Sequence, residues 1–407
     1  MFSRIDLLSV MKMAYHLLLI LGILGTFLSA CTSLKNQSSF NNGGISTKNF
    51  HENISVEKGI GYMIVPVKIK DKPYRFLFNP GSLTAISTAL DTILKLPSAR
   101  NVNLKHVEGI DKKQTMVRLD SLTLGNVSFK NINAIVVNFK VQNATRCLQL
   151  DGVLGANALK NCKWKVNYSK GYIEFSDNIN NLTDSNLLTI PFHQGITGIP
   201  IVDVNIGGQQ VAGFTLDMNY QGEVSMNEND VPKTLDSAWA SMVKSIAMGS
   251  STIIDTSTWF LTKAQFDESN NMEVMVKASN NYTNRVGIKL LKNYEFVMDW
   301  SSGKMGFSEP NQENRMDRLH LEMGPAYINQ EIIIGEIVLN SMSWMHGLRL
   351  GNVIKKFGMV SYENPTEKEY CEILGLFQKL PGSYVVETDH NDPFIGNSLL
   401  LNELKIE

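Results

Sequence analysis

Two turns in this 407-residue chain place side chains where chemistry could occur. Asp217 closes the run Gly207-Gly208-Gln209-Gln210-Val211-Ala212-Gly213-Phe214-Thr215-Leu216 and is followed by Met218 and Asn219. Asn79 closes the earlier run Asp71-Lys72-Pro73-Tyr74-Arg75-Phe76-Leu77-Phe78 and is followed by Pro80, Gly81 and Ser82. A carboxylate at the end of a strand can act as a base, or it can cap nearby N–H groups. An asparagine amide donates and accepts hydrogen bonds but exchanges no proton near neutral pH. If the two turns meet, Asn79 and Asp217 can hydrogen-bond to each other with one carboxyl between them, a contact worth about 1 kcal/mol. The remaining chemistry-bearing residues are sparse. Seven histidines are scattered, and HExxH, paired CxxC and Gly-rich phosphate motifs are lacking, so no metal and no cofactor is expected. A formal charge of -1, from 38 basic and 39 acidic residues, gives no electrostatic attraction for nucleic acid.

The elements that must position these turns occur twice. Ile64-Val65-Pro66-Val67-Lys68-Ile69 alternates with period two, crosses a polar turn and returns as the strand ending in Asn79. Ile199-Pro200-Ile201-Val202-Asp203-Val204-Asn205-Ile206 does the same and returns to Asp217. Each unit also ends alike. The first has Asp151-Gly152-Val153-Leu154-Gly155, a short helical stretch to Leu159, then Trp164 to Tyr168, Gly171 and Tyr172-Ile173-Glu174-Phe175. The second has Val286-Gly287-Ile288, then Tyr294, Phe296 to Trp300, Gly303 and Lys304-Met305-Gly306-Phe307. Between these ends, alternation over residues 117–137 with the turn Leu124-Gly125-Asn126 predicts a hairpin in the first unit.

This order of strand, turn, strand ending in an Asp-Thr-Gly-Ser-like turn, apolar-apolar-Gly and closing hairpin resembles the retropepsin-like and pepsin-like aspartic peptidases, over about residues 60–308. The resemblance implies a mainly β, bilobal fold of acid-protease-like β-barrel lobes, with lobe 1 over 59–180 and lobe 2 over 190–310. It implies a cleft between the lobes that receives a peptide. The family's chemistry uses two carboxyls that share one proton, one activating water and the other polarising the scissile carbonyl. Here the first copy reads Asn79-Pro80-Gly81-Ser82 and the second Asp217-Met218-Asn219. Asn79 replaces one acid, Pro80 removes a hydroxyl and a backbone N–H, Met218 removes the other hydroxyl, and Asn219 stands in place of glycine. Asp217 is thus a vestigial dyad member. Losing one acid–base role removes on the order of 10² to 10⁴ in rate.

The termini carry separate signals. Lys12, an apolar run from Leu17 to Leu28 and Leu28-Ser29-Ala30-Cys31 resemble a bacterial lipoprotein signal, with lipid on Cys31 and cleavage before it. This implies residues 1–31 as signal peptide and a cell-envelope protein held to a membrane by its N-terminal lipid. Thr32, not Asp, follows the cysteine, which points to the outer membrane, facing the periplasm. Residues 32–58, rich in Ser, Asn and Gly, read as a flexible tether. Of the remaining cysteines, Cys147 and Cys162 are near enough in sequence to pair or to sit as two separate core residues, leaving Cys371 unpaired on a helix.

After a polar stretch, residues 315–407 resemble a small α+β PDZ domain. The signs are the strand Glu331-Ile332-Ile333-Ile334-Gly335-Glu336-Ile337-Val338, a short helix over 342–345, His346-Gly347-Leu348-Arg349-Leu350-Gly351-Asn352-Val353-Ile354, and a helix over 366–380 with Tyr370, Ile373, Leu374 and Phe377 on one face. PDZ domains bind peptide ends by strand addition. Arg318, Leu319 and Leu321 are nearest to the family's carboxylate loop, which lacks its glycines here. Three functions follow: a non-catalytic binder of peptides or proteins, an aspartic endopeptidase completing its dyad with another acid or with Asp217 of a second copy in a homodimer, or an inert scaffold.

Overall fold

The computed structural model describes residues 40, 43–59, 61–105, 111–140, 143–183, 187–236, 239–246, 252–266, 272–308, 319–377, 384–389, 394–396 and 398–400. Strands dominate them, in two lobes followed by a smaller α+β unit. In lobe 1 the strand Tyr62–Ile69 turns back as Lys72–Asn79, with Ile69 opposite Lys72. The two turn residues, Lys70 and Asp71, have φ of 50° and 62°, the primed geometry that suits a two-residue hairpin. In lobe 2 Pro200–Ile206 returns as Gln209–Asp217, and Gly207 and Gly208 adopt φ of 59° and 87°. The same turn is therefore built from different residues.

Each of these hairpins takes up a parallel partner that fixes the turn beyond it. Gly152–Gly155 pairs with Lys72–Asn79, setting Gly155 opposite Asn79. Arg285–Gly287 pairs with Gln209–Asp217, setting Gly287 opposite Asp217. The hairpin expected over 117–137 is present, as Asp111–Leu124 and Val127–Val137, with Leu124 opposite Val127 and Gly125 at φ 57°.

The closing hairpins do more than end each lobe. Lys163–Asn167 of lobe 1 pairs antiparallel with Glu295–Asp299 of lobe 2, Trp164 opposite Met298 and Val166 opposite Phe296. A six-stranded sheet thus runs under both lobes. Its side chains join one apolar core containing Phe78, Trp164 and Phe175 from lobe 1 with Phe214, Met218, Phe296 and Phe307 from lobe 2. Trp164 stacks on Phe175 at 4.7 Å between ring centroids.

Where the two lobes' strands meet in that sheet, Glu295 lies 3.0 Å from Lys165 and accepts from Asn167 and Tyr172. Burial pushes its carboxyl up, but the Asn167, Lys165 and Tyr172 hydrogen bonds and the Lys165 charge outweigh that and leave it below the usual range. A depressed folded-state pKa adds stability above the unfolded value, near 4.3, and loses it as pH falls through the folded value. Glu295→Gln is therefore expected to flatten the loss of Tm with acid below about pH 4, as read by thermal unfolding from pH 7 to 2.

Two sequence expectations are corrected. Within the 32–58 tether, Gly44–Ile45 pairs with the Val127–Val137 strand, His51–Ser55 extends the inter-lobe sheet, and Glu57–Gly59 pairs with residues 62–64. Phe40 is fully buried against Leu83, Val102 and Met116. Lobe 1 thus begins well before 59. The composition misleads because these are edge strands with one wet face, so Ser and Asn alternate with Ile45, Ile54 and Val56, which pack on the core. The second correction is the disulfide. Cys147 pairs with Cys371, and Cys162 is free and buried. Cys162 follows the Ala156–Leu159 helix and points into the lobe 1 core, while Cys147 follows the Asn143–Arg146 helix and packs on the C-terminal unit.

That unit contains Met323–Ile328 and Glu331–Val338, a Met342–Met345 turn of helix, Ile354–Phe357, the Glu367–Phe377 helix and Tyr384–Thr388. The long helix starts in a capping box. Thr366 Oγ1 accepts from the Glu369 N–H at 3.3 Å, and the Thr366 N–H donates to Glu369 at 2.7 Å. Tyr370, Ile373 and Phe377 are buried, as their spacing predicts. The unit joins lobe 2 by strand pairing, residues 336–338 against 241–243.

Candidate functional site at the lobe interface

Each strand end carries the same backbone turn. Gly81 N–H donates to Asn79 Oδ1 at 3.0 Å, and Asn219 N–H donates to Asp217 Oδ1 at 2.9 Å. Further on, Ala156 N–H donates to the Ser82 carbonyl at 2.8 Å, and Ile288 N–H to the Tyr220 carbonyl at 2.9 Å. Gly155 and Gly287 make these approaches feasible. A Cβ on Gly155 would lie 2.2 Å from Leu83 C, and one on Gly287 2.2 Å from Gly222 O.

The two turns converge, as the repeat predicts. Asn79 Nδ2 donates to Asp217 Oδ1 at 2.9 Å, in a site where Asn79 is 2% and Asp217 7% exposed. Gly81 lies so close to the opposite lobe that a Cβ there would sit 2.4 Å from Leu216 O. The cross-lobe bonding is asymmetric, and the sequence explains why. Met218 N–H donates to Asn79 Oδ1 at 3.0 Å. The mirror-image bond, from residue 80 to Asp217, cannot form because Pro80 has no N–H. The Asn79 amide supplies the missing donor instead. Met218, where a hydroxyl would brace the lobes, is fully buried in the core.

Asp217 has one more partner, missed by sequence reasoning. Arg285 Nη1 lies 3.4 Å from Asp217 Oδ2, with the two side chains 12% and 10% exposed. Its Nε donates to Ser225 Oγ at 3.0 Å, and its guanidinium lies over the Tyr220 ring at 4.5 Å from the centroid. Burial pushes the Tyr220 phenol far above its ordinary range, against the Arg285 charge. The signal that points to Arg285 is the register of the repeat. Arg285 stands two residues before Gly287 in a strand whose lobe 1 counterpart has Val153, and a charge at such a buried position needs a partner.

The chemistry of this arrangement is limited. Asp217 Oδ1 receives Asn79 and Asn219, and Oδ2 faces Arg285. Asn79 Oδ1 receives two backbone N–H groups. Among the described residues no carboxyl is bonded to Asp217. Among the described residues no group of three or more His, Cys, Asp or Glu could hold a metal ion.

Beside the pair, the loop after Asp217 sends the Gln221 side chain across to the Tyr62 hydroxyl and carries one buried acceptor, Asn219 Oδ1, without a hydrogen-bond partner. Such groups are uncommon in folded proteins, because each costs about 1–3 kcal/mol when left unsatisfied. Gln221 lies against Gly61 of lobe 1, whose Cβ position is 3.0 Å from its Oε1.

The remaining expected site residues fall elsewhere. Pro80 is buried and Ser82 half-buried, with Ser82 Oγ donating to the Asn79 carbonyl at 3.4 Å. Cys31 and Arg318 lie outside the described residues. Leu319–Leu321 forms a strand paired with Ser398–Leu400, so one edge of it is closed to an added strand.

Residues 65–158 match a family model described as Aspartyl protease. Among curated proteins none matches. Solved structures similar to this chain include basic 7S globulin from soybean, at 12% identity and TM-score 0.39, covering 65% of this chain and 96% of that one. A retropepsin-like aspartic protease from Rickettsia conorii matches at 20% identity and TM-score 0.23, covering 32% of this chain and 93% of that one. The family model supports an aspartic-protease-like fold, which the duplicated turns and the sheet beneath them extend to the second lobe.

Proposed function

We propose that this chain binds an extended peptide or protein segment between its two lobes and does not cleave it. The observation that carries this reading is the pairing of a single carboxylate with an amide and a guanidinium, beside a buried acceptor left unused. Asn219 Oδ1 matches the N–H of a peptide backbone. The Asn79–Asp217 bond and the Met218 N–H bond brace the lobes without supplying a proton relay. The endopeptidase alternative needs a second acid at Asp217. Asn79 already fills the place from which a second chain would have to present one, so a homodimer adds nothing to the site.

The experiment is retention of a peptide library on the immobilised protein. Bound peptides are expected to elute intact, and Asn219→Leu is expected to lower retention at least tenfold while leaving Tm unchanged or raised. Retention that ignores this change would remove the basis of this reading.

The same proposal places the protein on the bacterial envelope, lipid-anchored through Cys31 and facing the periplasm from the outer membrane. Phe40 is already packed in lobe 1. The eight residues from 32 to 39 could then reach at most about 30 Å, which would hold the lobes near the membrane. Cys31→Ser is expected to move the protein from the membrane to the soluble fraction on cell fractionation; unchanged membrane retention would exclude the lipid anchor.

We further read the C-terminal unit as PDZ-like. Asn352, where Asp is usual, accepts from the Arg349 N–H at 2.7 Å, so the amide serves the same turn.

A further inference from the structure

Outside the cleft, residues 146 and 147 of lobe 1 reach two different elements of the C-terminal unit. The Arg146 guanidinium lies over the Tyr327 ring, 5.0 Å from its centroid, on the strand Met323–Ile328. Cys147 is bonded to Cys371 on the helix Glu367–Phe377. Tyr327 and Tyr370 join that strand to that helix, their rings stacked at 5.7 Å. Arg146 Nε is buried without a hydrogen-bond partner, and the guanidinium's charge is met by the Tyr327 ring face. The lobe 1 segment is thus seated between strand and helix, fixed by one cation–π contact and one covalent bond across 224 residues of sequence.

The unit is attached to lobe 2 in another way. Residues 336–338 pair with 241–243, Leu339 N–H donates to the Ala240 carbonyl at 2.8 Å, and Glu336 takes Lys277 at 2.8 Å and Ser241 at 3.2 Å. Met242 of lobe 2 also packs on the unit's apolar core. One attachment is a ladder of hydrogen bonds and the other hinges on a bond that reduction can open.

We propose that Cys147–Cys371 is a redox latch that docks the C-terminal unit on lobe 1, and that reduction by a dithiol frees this docking while the unit stays on lobe 2. In the step, a thiolate of the dithiol attacks one sulfur of the pair and the other leaves as a thiolate. The second thiol of the reductant then resolves the mixed disulfide. Two electrons pass, Cys147 and Cys371 end as thiols, and the dithiol ends as a disulfide. Lobe 1 then holds the unit by the Arg146–Tyr327 contact and apolar packing.

Cys162 supplies an internal control, since it is 2% exposed in the lobe 1 core and burial holds its thiol well above the ordinary range. The full chain is reduced with dithiothreitol in native buffer, pulsed with iodoacetamide and mapped by peptide mass. Cys147 and Cys371 are expected to label at least tenfold faster than Cys162. Amide exchange is expected to rise at least tenfold in residues 367–377 and to stay unchanged in 241–243. Cys147→Ser with Cys371→Ser should show the same exchange pattern without reductant. Labelling of Cys162 together with the other two would make the bond a staple of lobe 1 and overturn the latch. Continued protection of Cys147 and Cys371 after reduction would also overturn it, as would a double variant that does not fold.

Discussion

Asp217→Ala is expected to cost about 3–5 kcal/mol of folding stability, because it strands the Arg285 guanidinium in a nearly dry site. The change also leaves Asn79 Nδ2 and the Asn219 N–H without their acceptor. The two losses can be separated. Arg285→Met alone removes the charge that Asp217 faces, and the double variant Asp217→Ala with Arg285→Met removes the pair. If the stranded charge dominates, the double variant recovers much of what Asp217→Ala loses, giving a coupling energy within the range of about 0.5–3 kcal/mol found for contacting residues. Chemical unfolding followed by tryptophan fluorescence measures all three. A loss below about 1 kcal/mol for Asp217→Ala would place the carboxylate in the class of surface pairs and remove it from the brace described above.

Asn79→Asp has the second largest expected effect, and it depends on pH. It replaces the amide donor 2.9 Å from Asp217 Oδ1 with a second carboxyl. Two carboxylates at that distance cannot both stay ionised at low cost, so one folded-state pKa rises above its unfolded value near 3.9. A raised carboxyl pKa acts in the opposite sense to Glu295. The penalty is absent below the unfolded value and grows as pH climbs towards the folded one. Each tenfold gain in proton affinity on folding costs about 1.4 kcal/mol, so a gain of roughly a hundred- to a thousandfold would cost roughly 3–4 kcal/mol at neutral pH. Arg285, already on the other oxygen of Asp217, reduces this by stabilising one ionised form. The variant is therefore expected to match the parent near pH 3.5 and to fall progressively behind it towards pH 8, as read by Tm across that range. Equal stability at both ends would mean that the two side chains are not in contact.

Much of this is legible in the residues, and the failures have physical causes. The duplicated hairpins, the glycines opposite Asn79 and Asp217 and the closing hairpins follow local rules of alternation and turn geometry, and these survive in any context. Convergence of the two turns follows from the repeat alone, since equivalent elements packed on a common sheet bring equivalent ends together. Arg285 stays hidden because its meaning depends on register between strands that lie 68 residues apart from Asp217 to Arg285. The tether misleads because composition cannot distinguish a solvated linker from an edge strand with one dry face. The cysteine pairing is hidden because Cys371 meets Cys147 only through docking of the C-terminal unit on lobe 1, a tertiary event that sequence proximity does not encode. The tips of the two long hairpins, at residues 106–110 and 247–251, lie outside the described residues.

The proposal that the cleft binds without hydrolysing is tested most directly by following a peptide library by mass spectrometry from pH 3 to pH 8, with the parent protein and Asp217→Asn side by side. The account predicts the same background of intact peptides from both at every pH. Cleavage by the parent that disappears in Asp217→Asn would contradict it, because the lone carboxylate would then be activating water without a partner acid.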